Sequence, residues 1–155
     1  MGWSDLTIAP DEAALQSFRN AWAWRLGATA TPVLFSVWGD VFLDRDGPIF
    51  WLNTGTGELL EVASDLEDFR ARLAGDQVDE WFLPDLVGRL HLAGLRPATG
   101  QCFTYVTYPV FAEGKYEVAN TYVTAAREHF SLSGELHQQL APLPDGTEVR
   151  LDLAP

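Results

Sequence analysis

Apolar and polar positions change period along the chain, and each period predicts a different element. In residues 15–26 the apolar side chains fall on one helical face, whose members are Leu15, Phe18, Trp22 and Leu26. Asp11 and Glu12 suit the positive end of this helix, and Gly27 is a typical stop. The pattern therefore predicts a helical N-terminal segment over residues 1–30.

Four short runs rich in Val, Ile, Phe and Trp follow, at residues 32–38, 40–44, 48–53 and 58–63. Turn residues separate them, at Gly39-Asp40, at Asp46-Gly47-Pro48 and over 53–57. Short runs with turns of this kind predict an antiparallel β-meander.

Two of these turns also carry motifs found in ligand sites. The run 44–47 reads like part of a calcium loop, but Phe42 and Asn53 stand where an EF-hand needs an acidic first and last ligand. The run 54–57 has two glycines, but Glu58 and a strand follow it, whereas a phosphate loop opens a helix. We expect both runs to be turns only.

Helical patterns return after the meander. Ser64 and Glu67 have the spacing of a capping box, and the apolar face behind them consists of Leu66, Phe69 and Leu73. Pro84 cannot continue a helix without cost, so the next region divides into a short turn over 78–82 and a helix over 84–93.

The last third predicts strand, loop, helix and strand. Residues 102–111 favour a strand with Pro109 near its end, 114–120 a loop or short edge strand, and 146–153 a final strand. Between them, 124–140 predicts a long helix with Phe130, Leu136 and Leu140 on one side. Gly134 costs helix stability, so we expect another element to pack closely against it.

Together these elements predict an α+β fold, in which an antiparallel meander sheet packs against several helices. A chain of 155 residues with 47% apolar residues is long enough for one core. We divide it into the N-terminal segment 1–30 and an α+β domain over 31–155, within one compact domain.

The net charge of the chain limits the classes of molecule that it can bind. The chain has 22 acidic residues and 10 Lys and Arg, a net charge of −12, which disfavours nucleic acid and anionic membranes. Half of the excess lies in residues 58–80, which we call the acidic segment. It is either a solvated surface or a docking surface for a basic partner. The chain has no long apolar run and no signal-like N-terminus, so we expect it to be cytoplasmic.

Candidate catalytic and metal-binding residues do not form a known pattern. His91, His129, His137 and Cys102 lack zinc-site spacing, and we expect polar or half-buried histidines and a buried cysteine. Glu128 and Glu135 could form a catalytic carboxylate pair, but such a pair indicates catalysis only where it lies in a pocket. We therefore predict no catalytic, cofactor or metal site. The residues that would line a groove, if the fold brings them together, are Trp38, Trp51 and Trp81.

Several short motifs occur in an order that resembles one protein family. They are Gly39-Asp40, Gly100-Gln101-Cys102-Phe103, the run 129–139 with its two histidines and glycine, and Leu143-Pro144 with Gly146-Thr147. Over residues 33–150 the chain is similar to the C-terminal domain of type VI secretion immunity proteins that protect against DNase effectors.

The resemblance implies a protein that neutralises a toxin by stoichiometric binding. A DNase needs a basic cleft to hold phosphates, and an acidic surface is steered towards such a cleft. The candidate toxin-binding residues are Asp65, Glu67, Asp68, Asp76, Asp79 and Glu80. Two alternatives remain open: a small-ligand or regulatory module with a groove between the meander and the last helix, and an uncharacterised enzyme.

Overall fold

The four predicted meander strands form one antiparallel sheet together with a short N-terminal strand. The computed structural model describes residues 1–149. Its elements are α1 (Trp3–Leu6), β1 (Thr7–Ile8), α2 (Glu12–Leu26), β2 (Thr31–Ser36), β3 (Val41–Asp44), β4 (Ile49–Leu52), β5 (Leu59–Ala63), α3 (Leu66–Arg72), α4 (Gln77–Phe82), α5 (Pro84–Leu92), β6 (Gln101–Tyr105), a 3-10 turn (Val118–Asn120), β7 (Thr121–Ala125) and α6 (Ala126–Leu140). The strand order β1-β2-β3-β4-β5 follows the chain, so the predicted meander and the α+β class are confirmed.

Each face of this sheet covers a separate apolar core. Phe42 and Trp51 are directly opposite each other on β3 and β4, and their rings stack at 6.3 Å on one face. α4 and α5 cover this face. Because side chains alternate along a strand, Val41, Leu43 and Leu52 lie on the other face, beneath α2 and α6.

The first and last long helices pack against each other where Gly134 lies. A Cβ atom at Gly134 would lie 2.6 Å from the Cβ of Ala21, and it would also overlap the Ala21 carbonyl oxygen. The predicted close packing at this glycine is therefore confirmed. The N-terminal segment also joins the sheet, since β1 pairs with β2.

The predicted start of α3 is wrong by one residue. Asp65 is the N-cap, and its carboxylate accepts from the Asp68 amide at 2.7 Å. Asp68 in turn accepts from the Ser64 amide at 2.9 Å. The carboxylate at position 65 supplies the cap, so Glu67 takes no part in it.

Pro84 divides this region as predicted, but the residues before it form the helix α4, where only a short turn was expected. Leu83 links α4 to α5 in the left-handed region, with φ 49° and ψ 55°. This conformation is rare for a bulky residue and costs about 1–3 kcal/mol.

The predicted strand over 102–111 is correct only in its first part. β6 ends at Tyr105, because the Asn120 side chain bonds both the amide and the carbonyl of Thr107 at 2.8 Å and takes the place of a strand partner. β6 pairs with β7, a strand that was not predicted from the sequence.

The buried face of α6 differs from the predicted one. Phe130 and Leu136 are buried as expected, but Leu140 is half-buried, and the buried face includes His129 and His137. Residues 146–149 form a turn and irregular chain, and positions 150–153 of the predicted final strand lie outside the described residues. Within residues 1–149, no helix has the length and apolar character needed to cross a bilayer.

Candidate partner-binding site

The six predicted toxin-binding residues do not all line the same groove. Asp65, Glu67 and Asp68 line a shallow groove between β5 and α3. Glu80 lines a second, deeper cavity on the other side of α3, beside α4. Asp76 and Asp79 are exposed and line neither. The acidic segment thus presents two neighbouring features instead of a single charged helix face.

Two of the six residues hold the start of α3. Asp65 caps the helix, and Asp68 accepts from the backbone of Ser64 and from the Arg72 side chain at 3.1 Å. The Ser64 backbone hydrogen bond, and then Arg72, keep the pKa of Asp68 below its usual value. Replacing either carboxylate would therefore disturb local structure as well as surface charge.

The second cavity has walls of aromatic side chains, and we call it the aromatic cavity. Its volume is about 320 Å³. The aromatic residues that line it are Trp38, Trp51, Trp81, Tyr105 and Tyr116. Five parts of the chain supply them: the β2–β3 turn, β4, α4, β6 and the loop before the 3-10 turn. The fold thus brings together Trp38, Trp51 and Trp81, the three tryptophans considered above as residues that could line a groove.

Ring contacts and one hydrogen bond fix these walls. Trp38 stacks on Tyr105 at 5.7 Å, and Tyr116 meets Tyr105 edge-on at 6.0 Å. The indole of Trp38 donates to the Phe82 carbonyl at 2.8 Å. Most of the walls are buried, whereas Tyr116 is 43% exposed at the rim. A ligand would therefore meet a cavity whose shape is already set.

Three carboxylates also line the aromatic cavity. Glu58 and Glu80 are exposed at its rim, and Asp40 is 4% exposed at its base. None of the described residues that line the cavity is Lys, Arg or His. The site therefore combines indole and phenol faces with negative charge.

Asp40 is held by two neighbours. One carboxylate oxygen accepts from the amide and the hydroxyl of Thr54, both at 2.9 Å, and the other accepts from the Trp51 indole at 3.3 Å. Burial raises the pKa of Asp40 to about 7, against the effect of these hydrogen bonds. A cation in the cavity would favour the ionised carboxylate.

A buried chain of hydrogen bonds continues from Asp40 into the core. Thr54 Oγ1 donates to Asp40, so it must accept from His129 Nε2 at 2.8 Å. The other nitrogen, His129 Nδ1, lies 2.9 Å from Thr104 Oγ1 and accepts from it, since burial lowers the pKa of His129 to about 3 and keeps the ring neutral. His129 is 1% exposed, so this chain supports the structure and offers no access to a substrate.

Gly39, His129 and His137, on which the family resemblance partly rests, are buried in this interior. The other motif residues include exposed ones, at Gly100 and over residues 143–147. Gly39 has φ 74°, and a Cβ there would overlap the His129 ring. Gly57 has φ 81°, and a Cβ there would lie 2.6 Å from Nδ1 of His137. The Nε2 of His137 donates to the Thr54 carbonyl at 2.8 Å. Gly39 and Gly57 thus allow the turns before β3 and β5 to approach the two buried histidines closely.

In each of the two motif-like turns, a side chain accepts hydrogen bonds from the backbone of the turn. The Asn53 side-chain oxygen accepts from the Gly55 and Thr56 amides at 2.9 and 3.1 Å, so the glycine run closes on itself. Asp44 accepts from the Gly47 amide at 3.0 Å. Both runs are turns, as expected.

The remaining chemical candidates also lie apart. Cys102 is buried, as expected, and burial raises the pKa of its thiol. Glu128 and Glu135 line an open groove between α2 and α6, two helical turns apart. His91 is half-buried, but His129 and His137 are buried more completely than predicted. No group of three or more His, Cys, Asp or Glu among residues 1–149 is placed to hold a metal ion.

Comparisons with known proteins give no match, either to a protein-family model or to a curated protein.

Proposed function

We propose that the protein is an immunity protein that neutralises a basic toxin domain by stoichiometric binding. The main support for this proposal is the acidic segment, because residues 58–80 contain eight acidic and two basic residues. A second support is that two residues of this segment, Glu58 and Glu80, lie at the rim of a preformed cavity. The sequence resemblance to the DNase-immunity family supports the same class of partner.

Charge would act chiefly on the rate of association. Exposed charges interact over about 8 Å at physiological ionic strength, so the acidic segment attracts a basic cleft before contact. Occupation of that cleft by carboxylates competes with DNA phosphates. The expected partner is a nuclease domain whose inhibition is complete at equimolar protein.

The test combines inhibition with charge reversal at residues outside the α3 cap. The variant carries Glu67→Lys, Asp76→Lys and Asp79→Lys, because no side-chain hydrogen bond involving these three residues is present in the described structure. The matched control has the same change in net charge elsewhere, with Glu113, Asp145 and Glu148 replaced by Lys. The first variant should associate with the toxin about tenfold more slowly, with a shallower salt dependence, and its dissociation rate should change little.

Two results would contradict the proposal. If the purified chain inhibits no basic toxin domain from its own organism, the immunity function is wrong. If the acidic-segment variant and its control associate at equal rates, the segment is only a solvated surface.

The aromatic cavity also favours the second candidate, a small-ligand module. A ligand held there would remain with the protein during purification under native conditions. Native mass spectrometry of the purified chain, compared with its denatured mass, would detect it.

A further inference from the structure

We propose that the aromatic cavity receives one arginine side chain of the bound partner, with its guanidinium group between the aromatic walls and close to the carboxylates. This inference rests on the proposed function, since it names the anchor through which a basic toxin would be held. The concentration of acidic residues explains attraction to a basic partner, and the cavity adds a specific site for one side chain of that partner.

The size of the cavity fits a single side chain. Ligand pockets for drug-sized molecules occupy about 300–1,000 Å³, and this cavity, at about 320 Å³, lies at the lower end. Its buried walls leave one exposed rim, formed in part by Leu60, Glu80 and Tyr116. A side chain presented from a protein surface can enter through that rim, whereas a helix about 10 Å across is too wide.

The chemistry of the walls selects a cation. Among aromatic side chains, Trp attracts cations most strongly, and three indoles line the cavity. The carboxylates of Asp40, Glu58 and Glu80 add negative charge at the base and rim. A neutral apolar guest would gain no attraction from these carboxylates, and an anion would be repelled.

Guanidinium fits better than ammonium for two reasons. Its planar group stacks on aromatic faces, and it is more weakly hydrated, so it loses less on entering a buried site. It also presents several N–H donors in one plane, which can reach more than one carboxylate. A lysine would bring the charge without these advantages.

The backbone at the cavity gives an independent indication of a binding site. Leu83, which lines the cavity, has the left-handed conformation described above. Strained residues of this kind occur preferentially at ligand sites, where surrounding structure holds them. Leu83 thus fixes the course of the chain between Trp81 and α5 at the cavity wall.

The test uses the chain alone, with N-acetyl-arginine methylamide as the probe. Its lysine and citrulline counterparts serve as controls, since citrulline has nearly the same shape without the charge. Binding is followed by two-dimensional NMR through the indole N–H signals. The signals of Trp38, Trp51 and Trp81 should shift saturably with the arginine probe and far less with citrulline.

Two rim variants have closely matched controls. Tyr116→Leu is compared with Tyr122→Leu, because the two tyrosines are 43% and 44% exposed and Tyr122 lies on β7 outside the cavity. Glu80→Gln is compared with Glu67→Gln, which removes the same charge outside the cavity. Each rim variant should weaken arginine binding about two- to fivefold, and neither control should change it. Thermal melts confirm that all four variants are folded.

The inference is overturned if citrulline or lysine binds as tightly as arginine, if no saturable shift occurs, or if rim and control variants behave alike. These outcomes are separate from failure of the proposed function. If the chain inhibits its toxin and Tyr116→Leu inhibits as tightly as Tyr122→Leu, the cavity role is wrong and the immunity function stands. If arginine binds as expected but no toxin is inhibited, the cavity is a guanidinium site in a protein of another function.

Discussion

Replacing Gly134 with Ala should destabilise the protein, although the same change normally strengthens a helix. Ala is favoured over Gly in a helix interior by about 1 kcal/mol. Here the new methyl would lie 2.6 Å from the Ala21 Cβ and 2.7 Å from its carbonyl carbon, and apolar atoms normally approach to about 3.5–4.0 Å. Relief requires α2 and α6 to move apart by about 1 Å, and overpacking of this kind costs about 1–3 kcal/mol. Set against the gain in helix propensity, this leaves an expected net loss of up to about 2 kcal/mol.

Gly88 provides the matched control. It lies in the middle of α5, and a Cβ there would meet only the terminal methyl of Met1 at 3.3 Å, which can move aside. Gly88→Ala should therefore stabilise the protein by up to about 1 kcal/mol. For a chain of this size, 1 kcal/mol corresponds to about 2–4 °C in Tm. Calorimetry of both variants should show Tm shifts of opposite sign. Two increases would refute the close contact between α2 and α6.

Three further predictions concern titration, the thiol and metal. Between pH 4 and 6.5 the raised pKa of Asp40 makes stability fall as pH rises, whereas the lowered pKa of His129 makes it rise, so the two slopes oppose each other. In Asp40→Asn the slope from the two buried histidines remains, because burial also lowers the pKa of His137. Urea unfolding should then show stability falling on acidification through that range by up to about 1.4 kcal/mol per pH unit for each histidine; curves parallel to wild type would contradict this. Cys102 should resist a thiol reagent in the native protein and react fully in urea, and fast native labelling would show that its burial is wrong. A strong chelator should leave Tm unchanged, and a large drop accompanied by bound metal would reveal a site that neither sequence nor structure indicates.

The sheet was predictable because its determinants are local. Apolar runs of four to six residues alternate with turns whose residues fix the direction of the chain, such as Asp46-Gly47. Each of the four meander strands then pairs with its neighbour in sequence. β1, which the sequence did not predict, pairs with β2 across the intervening α2. The end of β6 required long-range information: Tyr105 continues into an apolar run, and only the distant Asn120 amide ends the ladder there.

The candidate site could be predicted only in part. The sequence indicated Trp38, Trp51 and Trp81 as residues for a groove, but their meeting depends on how α4 lies over the sheet. Asp40 was noticed as a turn residue and as part of a motif, but not as a carboxylate of a cavity, and no periodicity marks Tyr116 as a cavity wall. Charge concentration was visible in the sequence, yet the division of the acidic segment into helix caps and cavity rim is a property of the folded chain.

The packing of α2 against α6 also determines the order in which the chain can fold during its synthesis. The strands of the meander find their partners among residues just synthesised, but the aromatic face of α2, with Phe18 and Trp22, waits for a helix that begins at Ala126. At about 5–20 residues per second, that wait is on the order of 5–20 s. During it, the growing chain carries an amphipathic helix with no permanent cover, beside a sheet with one bare face. Release of the last helix from the ribosome is therefore the event that closes this core, and a chain stopped short of α6 would expose it to aggregation.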